Sequence, residues 1–106
     1  MMDAVLAALA DPTRRRAVEL LGHGPRRAGE LSTAVGVSPP AMSRHLRILL
    51  HAGVVVDERV PEDARARIFR LRPEAVVALQ AWLDQLKAGW DEQLASYKRH
   101  VERTPR

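Results

Sequence analysis

A chain of 106 residues has room for one modest domain and not for two. It carries 17 lysines and arginines against 13 acids, a formal charge of +4; fifteen of those basic residues are arginine, whose planar fork suits phosphate and guanine. There is no cysteine, which excludes disulfides, thiolate metal sites and cysteine nucleophiles.

The first predicted element is a short helix, Asp3 to Ala10, apolar at Val5, Leu6 and Leu9. Its apolar run from Ala4 to Ala10 is only seven residues long and follows Asp3, where a secretory signal needs a positive charge. No stretch approaches the length of a membrane span, so the sequence reads as cytoplasmic. Asp11 is a good N-cap and Pro12 fits the first position of a second helix through Ala17, Val18, Leu20 and Leu21, stopped by Gly22, Gly24 and Pro25. A third helix is expected over Ala28 to Val35, with Leu31, Ala34 and Val35 inward and Gly36 as terminator. Ser38 then caps a fourth helix with Pro39 at its first position, and Gly53 ends it. Two helices joined by a short glycine-containing turn make a helix-turn-helix.

Val54 to Val60 reads as a strand, Pro61 to Ala64 as a turn, and Arg65 to Leu71 as a second strand, so the two make a hairpin. Pro73 opens a last helix running to about Arg103. The expected order is α-α-α-α-β-β-α, mainly α with a β-hairpin wing, in a single domain over residues 1–106 without repeats or linkers.

From Leu31 to Val56 the chain has no aspartate or glutamate. On the fourth helix Met42, Leu46 and Leu49 recur at spacings of four and three, flanked by Ala41, Ile48 and Ala52, which makes them the core face. Ser38 at the cap and Pro40, Ser43, Arg44, Arg47 and His51 on the opposite side are the candidate DNA-binding residues. Short polar and arginine side chains free of acids are what a surface needs to approach a polyanion and read base edges. His45, at the edge of the core face, is expected to be packed and hydrogen-bonded. The hairpin adds Arg59, Arg65 and Arg67 as phosphate contacts, with Arg70 nearby. Asp57, Glu58, Glu62 and Asp63 give this wing a mixed sign.

Asp11-Pro12-Thr13-Arg14, Glu30-Leu31, the segment Ser38-x-x-Ala41-Met42-Ser43-Arg44-His45-Leu46-x-x-Leu49 and Ala52-Gly53-Val54-Val55 resemble the ArsR/SmtB family of bacterial winged helix-turn-helix repressors. The resemblance covers nearly the whole chain. With the tail motifs Trp82-Leu83 and Gly89-Trp90-Asp91-Glu92-x-Leu94, it looks like a cysteine-free subgroup. The resemblance implies a homodimeric repressor, released from its operator by a signal. Family metal sensors place a cysteine pair in the third helix; here Ser32, Thr33 and Ala34 follow Leu31. Others pair aspartate and histidine on the last helix, where this chain has one histidine, His100, and no Asp-x-His. No metal and no cofactor is therefore expected.

Along the last helix Val76, Leu79, Leu83, Leu86, Trp90, Leu94, Tyr97 and Val101 are spaced by 3, 4, 3, 4, 4, 3 and 4, a near-heptad stripe. A helix from Pro73 to Arg103 would be about 46 Å long, whereas a domain of this size has a radius of gyration of about 13 Å. The dimer interface is expected to use Leu79, Leu83, Leu86, Trp90, Leu94 and Tyr97 of that stripe with Val5, Leu6 and Leu9, against a second copy. The competing expectation is a break at Gly89.

No catalytic constellation is present: no paired carboxylates in apolar surroundings, no glycine-rich phosphate loop and no nucleophile–histidine arrangement. The alternative function is a winged-helix module that binds protein or RNA without an operator. Against RNA, the four aromatics all fit apolar faces rather than exposed stacking positions. An inducer, where one exists, is a small molecule held between the last helices or a redox-independent signal.

Overall fold

The computed structural model describes residues 2–103, the side chains of Ala64 and Arg65 excepted. In chain order the elements are α1 (Met2–Leu9), α2 (Pro12–Leu21), β1 (Arg26–Arg27), α3 (Ala28–Val35), α4 (Pro39–His51), β2 (Val55–Val60), β3 (Asp63–Leu71) and α5 (Pro73–Arg103). The chain divides into two compact units, Met1–Val76 and Val77–Arg106.

Local chemistry sets the helix limits. The Asp11 carboxylate accepts from the N–H groups of Thr13 at 2.8 Å and Arg14 at 3.1 Å, so the first orphan donors of α2 are satisfied beside Pro12. Ser38 does the same for α4, its hydroxyl accepting from Ala41 N–H at 3.2 Å. Between them α3 ends on Gly36 at φ +84°, a left-handed conformation that glycine adopts without penalty. The Gly36 N–H donates back to Ser32 O at 2.9 Å. This one left-handed residue sets the turn between the two helices of the helix-turn-helix.

Within the first unit the core gathers Ala8, Ala17, Leu21, Leu31, Met42, Leu46, Leu49, Val55 and Phe69 from four helices and two strands. Leu31, Met42 and Leu49 are fully buried, each worth about 1.5–3 kcal/mol of transfer free energy. Ile48, expected at the flank of this core face, is instead 43% exposed. It lies about 120° around the helix from the axis set by Met42, Leu46 and Leu49, too far to reach the interior.

The hairpin turns on Pro61 and Glu62, and β3 begins at Asp63, two residues earlier than expected. Val55 pairs with Leu71 and Arg59 with Arg67, with an irregularity between Arg59 and Val60. The sheet has a third strand that the sequence did not suggest. Arg26 pairs with Phe69 and Arg27 with Ile68, giving the antiparallel order β1-β3-β2. Two arginines carry no strand periodicity; pairing with β3 makes them a strand.

The second unit is the body of α5. The helix is continuous through Gly89 over its 31 residues, none of them buried. Leu86 is 57% exposed and Trp90 59% exposed. Pairs four residues apart line it, Gln80 donating to Asp84 and Lys87 to Asp91, each at 2.9 Å. No helix among the described residues is long and apolar enough to cross a membrane.

Candidate nucleic-acid interface

The outward side of α4 is built by the same wheel that fills the core. With Met42, Leu46 and Leu49 inward, Pro40, Ser43, Arg44, Arg47 and His51 are all exposed, as is Ser38 at the cap. Arg44 and Arg47 make no ion pair or side-chain hydrogen bond among the described residues. The nearest acids in sequence are Glu30 and Asp57, on neighbouring elements. These two guanidiniums therefore keep their full donor sets for an external acceptor.

The helix is held in place by a polar joint on its other flank. His45 is half-buried and its Nδ1 lies 3.3 Å from a guanidinium nitrogen of Arg14. Arg14 also donates through Nε to Ala8 O at 2.7 Å and through its other terminal nitrogen to Ala7 O at 3.5 Å. One side chain thus ties the end of α1 to α2 and α4 and satisfies carbonyls that α1 leaves open. His45 is packed and hydrogen-bonded, as expected. Arg14 is a basic residue committed to structure, and charge alone gave no signal for that. The N–H of Arg14 donating to Asp11 is the main cause that holds the Asp11 carboxyl below its ordinary value. Burial opposes this shift, while the Thr13 N–H and the charges of Arg14 and His45 add to it.

On the wing, Arg59 and Arg67 face each other across the ladder and both are exposed. Arg67 lies 3.3 Å from Asp57, and Arg70 donates to Glu58 at 2.9 Å. Both pairs are diagonal across the strands and at least partly open to solvent, so they are weak and can be exchanged for another anion. The side chain of Arg65 lies outside the described residues.

A cleft of about 510 Å³ opens beside the outer face of α4. Its walls come from β1 and the start of α3, from Ser43, Leu46 and Arg47 of α4, and from Arg67 and Phe69 of β3. No acidic side chain lines it. No group of three or more histidines and acids able to hold a metal occurs among the described residues.

The expected interface residues on the terminal helices fall into two classes. Val5 is buried in the core of its own chain, while Leu6 and Leu9 are half-buried and keep accessible surface. On α5, Leu79 is half-buried and Leu83, Leu86, Trp90, Leu94 and Tyr97 are exposed.

Residues 11–56, from the Asp11 cap through α4 to the first strand of the wing, match the model of the arsR family of bacterial regulatory proteins. The HTH-type transcriptional regulator Rv2034 of Mycobacterium tuberculosis is 40% identical over 100 residues, 94% of this chain and 88% of the relative. The transcriptional repressor SdpR of Bacillus subtilis is 41% identical over 58 residues, 55% of this chain and 64% of the relative. Among solved structures, the homodimeric winged helix-turn-helix DNA-binding domain of Mb0332 from Mycobacterium bovis superposes with a TM-score of 0.66. It is 31% identical, over 88% of this chain and 81% of that one.

Proposed function

The chain belongs to the arsR family of bacterial regulatory proteins, and from that premise we propose that it is a homodimeric transcriptional repressor, acting in the cytoplasm on an inverted-repeat DNA operator. The observation that carries this reading is the outer face of α4, exposed throughout, with two uncompensated guanidiniums and no acid. An interaction surface for protein would not need that exclusion of acids. Likeness to SdpR, named a repressor, supports repression; likeness to the homodimeric Mb0332 domain supports the dimer.

In this reading residues 1–106 act as one winged helix-turn-helix domain whose first and last helices join two copies. Two copies of α4, related by a two-fold axis, enter successive major grooves with half-sites about 10 bp apart. Arg44 and Arg47 contact base edges, at least one of them gripping guanine in bidentate fashion, with Pro40, Ser43 and His51 around them. Ser38, whose hydroxyl oxygen accepts from Ala41, still has its O–H to donate to a phosphate. Arg59, Arg65 and Arg67 of the wing hold phosphates, Arg67 exchanging Asp57 for the backbone. Leu6 and Leu9 join Leu79, Leu83, Leu86, Trp90, Leu94 and Tyr97 at the interface. No cofactor or metal takes part in this reading, and an inducer, where one exists, is a small molecule held between the last helices or a redox-independent signal.

Selection of bound duplexes from a random-sequence library tests this. The expected product is an inverted repeat protected in two consecutive turns. Recovery of no preferred sequence would favour the protein- or RNA-binding alternative.

A further inference from the structure

The cleft beside α4 extends past the proposed base readers towards β1 and the start of α3. Three of its lining residues, Ser43, Arg47 and Arg67, belong to the proposed DNA face. Its other basic residue is Arg27, from the short strand β1 that pairs with β3. Arg27 is exposed, and its guanidinium has no ion pair or hydrogen bond among the described residues. Its backbone is engaged, the N–H donating to the Glu30 carboxylate at 3.3 Å and the residue pairing with Ile68 of β3. Three arginines therefore line one concavity with no acid among its walls, over a floor made of Leu46 and Phe69. The concavity runs between α4, the proposed reading helix, and the strands β1 and β3. A guanidinium-lined channel at that place is complementary to a chain of phosphodiesters with apolar sugars between them.

We propose that this cleft seats one sugar–phosphate strand of the duplex between α4 and the wing, and that Arg27 holds a phosphate of that strand. The inference rests on the DNA-binding reading and adds to it a contact from β1, at the N-cap of α3 and outside the reading helix and the hairpin. A phosphate held there carries no sequence information. It fixes the register in which Arg44 and Arg47 meet the bases.

The test is a scan in which single phosphates of a selected duplex are replaced by neutral methylphosphonates. For the wild-type dimer, one position in each half-site should cost about tenfold in affinity. For Arg27→Gln the same position should cost less than about twofold, while all other sensitive positions remain. The salt slope of log K should fall by about 0.9 for each phosphate no longer neutralised, so by about 2 for the dimer. Arg27→Lys, which keeps the charge, should restore most of the slope. Thermal melts check that the variants fold; the phosphate scan on wild-type protein stands without them.

If Arg27→Gln leaves both the phosphate pattern and the slope unchanged while Arg47→Ala alters base preference, this inference fails and the DNA-binding reading survives. If the wild-type protein selects no duplex, the underlying reading fails. Saturable chemical-shift changes at Arg27 and Ser43 on adding sodium pyrophosphate alone, with sub-millimolar affinity, would assign the cleft to a free anion and also overturn the proposal.

Discussion

Helices α4 and α5 carry the same sequence signal and meet opposite fates. Each has apolar residues three and four apart along one face. In α4 that face is Met42, Leu46 and Leu49, at most 2% exposed. In α5 the stripe from Leu83 to Val101 is 44–68% exposed at every position. Periodicity therefore reports that a helix has a face to cover; it does not report what covers it. The 13 residues of α4 find their partners in α2, α3 and β2 of the same chain. The 31 residues of α5 offer an apolar stripe too large to be left to water, and a second copy is the cover we propose.

The sharpest way to break this comparison is to place charge on the α5 stripe. Leu86→Glu with Trp90→Glu should turn a species of about twice 11.8 kDa into one of 11.8 kDa in sedimentation at micromolar concentration. Affinity for the two-half-site operator should drop about 10²–10⁴-fold, because the second module no longer binds intramolecularly. A wild-type protein that sediments as a monomer at that concentration would sink the dimer. The counterpart in α4 is Leu49→Ala, which leaves a cavity in a fully buried site and should cost about 2–5 kcal/mol of folding stability. Its effect should show as a lower denaturation midpoint in a protein that is still dimeric and whose midpoint still rises with protein concentration, whereas the monomeric α5 variant should lose that concentration dependence. Equal concentration dependence for both would mean that the two stripes are covered in the same way.

The helix-turn-helix was legible because its punctuation is local. Asp11, Pro12, Gly36, Ser38 and Pro39 act within three or four residues, and the helix starts follow from them. What was not legible depends on distant partners. β1 is a strand only because β3 lies beside it. Arg14 looks like any other arginine until the end of α1 and His45 are placed around it. Ile48 shares the apolar character of its neighbours but not their direction. Arg27 gave no sequence signal at all, since it is one of fifteen arginines and its relevance comes from the cleft it lines.

Moving from the buried face of α4 to its outer face should change the kind of effect as well as its size. Arg47→Ala should remove discrimination of about 1–3 kcal/mol at one position of each half-site, read by competition among duplexes differing at single bases. Arg67→Ala should weaken all sequences alike and lower the salt slope by about 1 for each phosphate it leaves unpaired. Both residues are exposed, so neither change should move the melting temperature appreciably. An unaltered base preference in Arg47→Ala would mean that α4 approaches DNA by another face.

The smallest expected effect contrasts the polar ties of the two regions through pH. Asp11 caps α2 with two N–H groups on one carboxylate oxygen, and the Arg14 N–H is the main cause of its lowered pKa. Its folded-state value lies below the ordinary 3.8. Its contribution is therefore fully present above about pH 3.8 and is lost as pH falls through the lower folded-state value. Asp11→Asn keeps an oxygen that can accept both bonds but removes the charge, so it should melt slightly below wild type at pH 7. The gap should close as the pH falls through the folded-state value. On α5 the sign is reversed: the hydrogen bond from Lys87 to Asp91, with the Asp91 charge, raises the Lys87 pKa, so that tie persists at neutral pH and is lost only on the alkaline side. Because the pair is exposed at both ends, Asp91→Asn should leave the melt within its reproducibility. A melting gap for Asp11→Asn that stays constant down to pH 2.5 would show that the charge of Asp11, as distinct from its oxygen, does not stabilise the start of α2.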